Sequence, residues 1–356
     1  MNILILATHL NPGGISRYVI TLAKNLVKLN HQVWIACEKG QWEDKLKNSG
    51  VHYKYIPIKT KSIFSPKVLI SFFYLLRFIR QNKIDLIHAN TRVSQFLGFL
   101  IYKFSRIPYI STFHGFYSFK LSRKLFKFSG LLTIAVSEAV KEYLIRDFKF
   151  DSKKIIVVHN GLDIEEFSKS KVKREDWGFT PSNYLVGILG RISEEKGHLL
   201  AIEAMEIIMS KYQNIYFLIS GEGRLKKELE RAVNLSKIKE RVKFLALEAN
   251  NFLDIIDLLL MPSRKEGFGY SIIEAFAKGV PVVGYNTGGI AEIIRNRQNG
   301  ILFYNYDSIT LANVIEEVFL QKSLREKIIT QARKDVLYFG SELMAKNTEK
   351  VYKSIL

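Results

Sequence analysis

The strongest constraint on this fold is an alternation that the chain plays twice. "NILILAT" is a continuous apolar run, Pro12-Gly13-Gly14 breaks it, and a helical pattern follows from Ile15 to Leu29. "HQVWIAC", "VHYKYIPI", "IDLIHAN", "PYISTFHG", "LLTIAVS" and "KIIVVHNGLD" read as further strands, with helices between most of them. One of those helices, "SPKVLISFFYLLRFIRQNK", has Ser65 as N-cap and Pro66 at its first position. Another runs near residues 94–103, and "SEAVKEYLIRDF" opens a third. Around residues 167–182 the sequence turns polar and irregular ("SKSKVKRED"), which marks a linker. A second series then begins at "YLVGILGR". It passes through "GHLLAIEAMEIIMSKY", "IYFLISGEG", "RLKKELERAVNLS", "RVKFLAL" and a helix near 251–257. "LLLMPS", "VPVVGYN", "GIAEIIRN" and "NGILF" complete it.

Strands alternating with helices build parallel sheets through right-handed βαβ units. The expectation is an α/β protein of two Rossmann-like domains, which suits a chain of 356 residues. The predicted boundaries are 1–168, 169–340, and a C-terminal helix at 341–356 ("SELMAKNTEKVYKSIL") that packs back at the domain interface and returns to the N-terminal domain.

Composition removes several classes. With 47% hydrophobic and 24% charged residues the chain is globular rather than disordered. A single cysteine, Cys37, excludes an intramolecular disulfide and a Cys-based zinc site, and fits a reducing compartment. "MNILILATHL" has no basic region before its apolar run, so it reads as a first strand rather than a leader. No apolar run reaches about 18 residues, so no membrane-spanning helix is predicted. The most apolar stretch, Val68 to Ile79, is interrupted by Arg77 and reads as a core helix. No His, Asp and Glu set has metal-ligand spacing, and neither a G-x-S-x-G elbow nor a P-loop occurs.

In open α/β sheets ligands bind beyond the carboxyl ends of the strands. The candidate motifs fall there: Gly13-Gly14, His114, Arg191, Gly221-Glu222-Gly223 and Glu266-Gly267. Loops from both sheets are expected to face one interdomain cleft, a favoured ligand position. Each motif also has a plainer reading. In "EGFGYSIIE" the glycines put Glu266 in a loop, and Ser271 with Glu274 forms a capping box for the next helix. The same helix start suits a phosphate, and a carboxylate beside it suits sugar hydroxyls. Arg191 and Lys196 in "GRISEEKGH" are a solvated charged loop or a diphosphate clamp. Gly13-Gly14 is a tight turn or a close approach to a ligand, and it does not complete a dinucleotide fingerprint. His114 is a satisfied structural group or part of an active-site rim, and His88 and His159 sit at similar strand ends.

Together these residues resemble glycosyltransferase family 4 of GT-B fold. The resemblance is carried by Gly190-Arg191 with Lys196-Gly197, by Gly221 to Gly223, by "PSRKEGFGYSIIEAFAKGVPVV", and by Gly288-Gly289 with Glu292. "GG", "FHG" and "NGLD" in the first half also match, and the resemblance spans nearly the whole chain. It implies a retaining transfer of sugar from a nucleotide diphosphate sugar, most often a UDP-sugar, with no metal and no other cofactor. By this similarity Arg191 and Lys196 hold the donor diphosphate, Glu274 the ribose hydroxyls, and Glu266 the donor sugar. Backbone from Gly267 through Phe268 and Gly269 to Tyr270 binds sugar and phosphate, with Gly223 beside it. Gly14 approaches phosphate or acceptor, and His114 touches the sugar near the reacting carbon. Two departures leave the donor open. "KFLALEAN" replaces a pattern that usually has Gly near the nucleotide base, and Tyr270-Ser271 replaces a common Leu-Pro.

The net charge of +19 is lopsided: residues 1–170 hold 26 Lys+Arg against 11 Asp+Glu. From His52 to Gly130 there are 14 basic residues and one acid, Asp85. An anionic partner is therefore expected for the first half. "FYSFKLSRKLFKFSG" (116–130) reads as a basic amphipathic element in which Lys120, Arg123, Lys124 and Lys127 meet an anionic membrane or an anionic acceptor, or are simply solvated. No nucleic-acid module is present, so nucleic acid is not expected as a partner. The reading is a cytoplasmic glycosyltransferase, peripheral on the inner face of the cell membrane, acting on a lipid-linked, lipopolysaccharide or other cell-surface glycan acceptor. A nucleotide-sugar epimerase of the same fold, or a nonenzymatic membrane-binding protein, is the alternative.

Overall fold

A computed structural model describes residues 1–117, 127–169 and 172–356. The chain divides into two compact units, Met1–Asp163 with Phe339–Leu356, and Ile164–Tyr338. The first unit contains β1 (Asn2–His9), α1 (Gly14–Lys28), β2 (Gln32–Glu38), β3 (His52–Tyr55), α2 (Pro66–Gln81), β4 (Leu86–Ala89) and α3 (Arg92–Ser105). β5 (Tyr109–Phe113), β6 (Thr133–Ala135), α4 (Glu138–Phe148) and β7 (Ile155–Val157) complete its sheet. All strands are parallel, in the order β3-β2-β1-β4-β5-β6-β7.

The second unit contains α5 (Ile164–Ser168), β8 (Tyr184–Leu189), α6 (His198–Lys211), β9 (Ile215–Ser220), α7 (Lys226–Leu235), β10 (Val242–Leu245) and α8 (Ala249–Ile255). β11 (Leu258–Met261), α9 (Tyr270–Lys278), β12 (Val282–Tyr285), α10 (Gly288–Ile293), β13 (Ile301–Phe303), α11 (Ser308–Leu320) and α12 (Lys322–Asp335) follow. Its six parallel strands run β10-β9-β8-β11-β12-β13. The last helix, α13 (Ser341–Lys353), belongs to the first unit and packs against α1. This is the expected α/β architecture with two parallel sheets. Each sheet reverses its strand order once, between β1 and β4 and between β8 and β11. Ligand crevices form at such switch points.

Local chemistry sets the helix starts. Ser65 accepts a hydrogen bond from the Lys67 N–H, Thr91 from Ser94, and Ser137 from Val140. Side chains as well as composition fasten the linker. Arg174 donates to both oxygens of Asp257 at 3.2 and 2.8 Å, and Asp257 also accepts the Leu185 N–H at 2.8 Å. The polar stretch is thus tied to the start of β8.

Two differences from the sequence reading matter. The stretch 68–79 is not a core helix on all sides. Val68, Phe72, Leu75 and Ile79 are buried, while Leu69, Ile70, Phe73 and Tyr74 on the opposite face are exposed. Periodicity, not mean hydropathy, decides that. Two further helices, α11 and α12, lie between β13 and α13 and pack on α6 and α9. Among the described residues no helix is long and apolar enough to cross a membrane.

Asp335 closes this corner of the second unit. It is buried and accepts hydrogen bonds from Arg295 (2.7 and 2.5 Å), Asn299 (2.7 Å) and Gln331 (2.9 Å). Burial opposes its ionisation, but those donors outweigh burial and hold the carboxyl below its usual value of 3.8. Asp335→Ala strands the buried Asn299 amide and is expected to lower the unfolding free energy by about 1–3 kcal/mol in urea titrations. A carboxyl with a depressed folded pKa stabilises above its unfolded value, so this contribution is present at neutral pH. It is lost as pH falls below 3.8, and the mutant should show a flatter acid limb there.

Candidate active site

In the second unit the loops after β8 and β9 are zipped together by backbone. Gly190 N–H donates to the Ser220 carbonyl at 2.9 Å, and Ile192 N–H to the Glu222 carbonyl at 3.0 Å. A Cβ on Gly221 would lie 1.8 Å from the Gly190 oxygen, and one on Gly223 2.0 Å from the Ile192 oxygen. The GEG motif is therefore needed for loop-on-loop contact, whatever ligand lies beyond it. Arg191, held between those two contacts, is exposed. Lys196 ends a 3-10 turn (Glu194–Lys196), and its ammonium hydrogen bonds to Glu266 Oε2. Both side chains are mostly covered. Two residues expected to act on the donor are thus brought into direct contact, one from each side of the β8/β11 switch point.

The stretch 262–269 after β11 is held from behind by the first turn of α10. Gly289 N–H donates to the Glu266 carbonyl at 2.9 Å, and a Cβ there would come 2.6 Å from Phe268 Cα. Phe268 is buried and stands edge-on to Tyr270, with centroids 5.8 Å apart. The expected capping box is absent. α9 starts at Tyr270, and its N-cap is Gly269 at φ 101°, with no side-chain cap bond. The left-handed glycine turns the loop directly into the helix, so Ser271 is already its second residue. Glu274 is fifth, 2% exposed on the buried face of α9. Its burial so close to the helix start is a placement that capping does not explain.

Sequence reasoning missed Arg264. Its N–H donates to the Glu195 carbonyl at 2.8 Å, its carbonyl accepts from Thr287 Oγ1 at 3.2 Å, and its guanidinium lies 4.3 Å from the centre of the Tyr306 ring. It joins the loops after β8, β11 and β12. Its place inside a recognised motif gave the only signal.

In the first unit Gly13 is the N-cap of α1 at φ 155°, and Gly14 is the first helical residue. A Cβ at Gly13 would meet nothing within 4 Å, so the glycine there serves the backbone angle alone. His114 follows β5, packs edge-on to Tyr18 with centroids 4.7 Å apart, and its Nε2 donates to Asn90 Oδ1 at 3.2 Å. That bond leaves Nδ1 as the acceptor nitrogen of a neutral ring. Asn90, fully buried at the end of β4, is the orienting partner that sequence alone did not single out. His88 is structural: its Nδ1 meets Tyr352 Oη at 2.7 Å and its Nε2 meets Thr112 Oγ1 at 2.6 Å, all buried. His159 packs its ring against Phe339, with centroids 5.8 Å apart.

Of the basic segment, Lys120, Arg123 and Lys124 lie outside the described residues. Its two described ends turn inward. Phe116 packs on Tyr143, and buried Phe128 packs on Phe96 and Phe99. Lys127 donates to the Lys149 carbonyl.

Burial pushes the His88 and His114 imidazoles down to about 3, against an ordinary 6.5. Below pH 6.5 the unfolded chain therefore binds protons that the folded chain refuses, and stability falls steadily as pH drops from 6.5 towards 3. Urea titrations across that range should show this slope, and His88→Gln should flatten it. An unchanged slope would remove His88 from the account.

Residues 12–166 match the family model of Glycosyltransferase Family 4, and residues 169–335 that of Glycosyl transferases group 1. The chain is 26% identical to the Escherichia coli UDP-Gal:alpha-D-GlcNAc-diphosphoundecaprenol alpha-1,3-galactosyltransferase, over 89% of each chain. It is 23% identical to an alpha-monoglucosyldiacylglycerol synthase of Acholeplasma laidlawii, over 97% of this chain and 94% of that one. The crystal structure of Anabaena HepE in complex with UDP and glucose superposes with a TM-score of 0.87 at 22% identity, covering 99% of this chain and all of that one. With two family models accounting for nearly its whole length, the chain belongs to the family-4-type glycosyltransferases of GT-B fold.

Proposed function

We propose that this glycosyltransferase moves a sugar, with retention of anomeric configuration, from a UDP-sugar to a lipid-linked or lipopolysaccharide-type cell-surface glycan. The observation that carries the donor side is the cluster around the β8/β11 switch point: exposed Arg191, the Lys196–Glu266 pair and the glycine-opened start of α9. Two cations and a helix N-terminus suit a diphosphate, and carboxylates suit sugar and ribose hydroxyls. In this reading Glu266 holds the donor sugar, Glu274 the ribose, and backbone from Gly267 to Tyr270, with Gly223 nearby, lines the site. Gly14 and His114 serve the sugar and acceptor from the first unit. His114, neutral across the physiological range, acts as a hydrogen-bonding group rather than as a proton donor.

As the bond between the anomeric carbon and the diphosphate oxygen breaks, negative charge grows on the leaving group. Arg191, Lys196 and the N–H groups of α9 stabilise it where it develops. The acceptor oxygen bonds to the anomeric carbon on the same face, and its proton passes to the departing phosphate oxygen. In this reading the cationic residues do the work of neutralising the leaving group's charge. The acceptor class is supported by the diphosphoundecaprenol and diacylglycerol in the names of two relatives. A position on the inner face of the cell membrane follows from such acceptors.

Arg191→Ala and Lys196→Ala are each expected to cut turnover by about 10²–10³, the usual cost of removing one such donor. The ligand-free melting temperature should hold, and the rise caused by UDP should shrink. Normal turnover in both variants would sink the diphosphate clamp. Product release that needs no acceptor would point to an epimerase instead.

A further inference from the structure

We infer that α2, together with the neighbouring end of α3, is the face that lies on an anionic lipid surface. This rests on the membrane location proposed above and assigns it to an element other than the basic segment at 116–130. Single exposed apolar side chains are ordinary on protein surfaces, whereas contiguous ones mark interaction sites. Here they are contiguous. Leu69 and Phe73, and Ile70 and Tyr74, stand one helical turn apart on the same face of α2. Phe64 precedes that face at 82% exposure, and Phe104 of α3 adjoins it at 71%. Phe72 joins the two helices, with its ring edge-on to Phe73 at 5.3 Å and to Phe104 at 5.2 Å.

The exposure is not a failure of the core. The opposite face of α2 is already filled by Val68, Phe72, Leu75 and Ile79, which pack into the first unit. The rim is basic. Lys61 and Lys67 flank the apolar patch at one end, and Arg77 and Arg80 extend the same face at the other, all exposed. Lys103 beside Phe104 is exposed too, and no acidic residue occurs from Lys45 to Ile84. An aromatic and aliphatic face edged by cations is what an interfacial helix needs to rest among anionic headgroups. Sixteen residues are too few to span a bilayer but suit lying in its surface. A second copy of the chain fits poorly, because a two-fold contact on this face would set cation against cation.

The test places a label on the helix. Cys37 is buried, so Leu69→Cys offers one accessible thiol for an environment-sensitive fluorophore. In vesicles containing phosphatidylglycerol at low salt the label should shift to the blue and be quenched by brominated acyl chains. A label at Leu235→Cys, on the 89% exposed position in the second unit, should do neither. Phe73→Ser with Tyr74→Ser should lower vesicle partitioning about tenfold or more without changing the melting temperature. Arg77→Gln and Arg80→Gln should weaken it about fivefold each. Failure to bind vesicles overturns the inference, as does binding with the label at 69 still in water. A blue shift that depends on protein concentration and not on lipid would assign the face to a partner copy and also overturn it. The UDP-dependent thermal shift should persist in every variant, which separates failure of this face from failure of the donor reading.

Discussion

The candidate site of the second unit depends on backbone meeting backbone. Where β8 and β9 end, their loops approach so closely that a single methyl group on Gly221 or Gly223 would overlap a carbonyl oxygen. That contact fixes the path from Gly190 to Ile192, and Arg191 lies within it. The first turn of α10 does the same for the other side, where Gly289 N–H fastens the Glu266 carbonyl. Ion pairing then joins the two sides through Lys196 and Glu266. Charge at this site is positioned by main chain that has no room to move sideways, which suits the role proposed for it, meeting charge that develops in a transition state.

The two parallel sheets were legible because parallel strands are covered on both faces and read as nearly unbroken apolar runs. β1, β8 and β11 are examples. Helices were legible where a side-chain cap and a clear period coincide, as at Ser65 and Ser137. α12 was not: "KSLREKIITQARKD" is polar for most of its length, and Ile328 and Ala332 are among the few residues it buries. The entry to α9 lies two residues before the Ser271 cap that the sequence suggests, for a backbone reason. A left-handed Gly269 begins a helix as well as a serine cap does, and sequence shows only that a glycine is present.

Motifs told less about mechanism than about location. The GEG glycines and Gly289 mark the family resemblance, and each makes room for a neighbouring stretch of main chain, whereas Gly13 serves only a backbone angle. A motif can mark a site and yet be required by packing beside it. The reverse holds for Asn90, which has no motif of its own. Only the fold brings the end of β4 alongside the end of β5, where Asn90 can orient His114.

The route of the chain carries one more consequence. Gly161 passes so near Ser341 that a Cβ would lie 2.7 Å from its Cα, and Leu162 exchanges hydrogen bonds with Phe339 and Ser341. Beyond that crossing, α13 brings Glu349 to His31 and Tyr352 to His88. The first unit is therefore written in two pieces, with the whole second unit between them. During synthesis its first 163 residues emerge without the helix that covers α1 and without the hydroxyl that binds His88. All of the second unit leaves the ribosome before either arrives. The piece made first is the piece finished last.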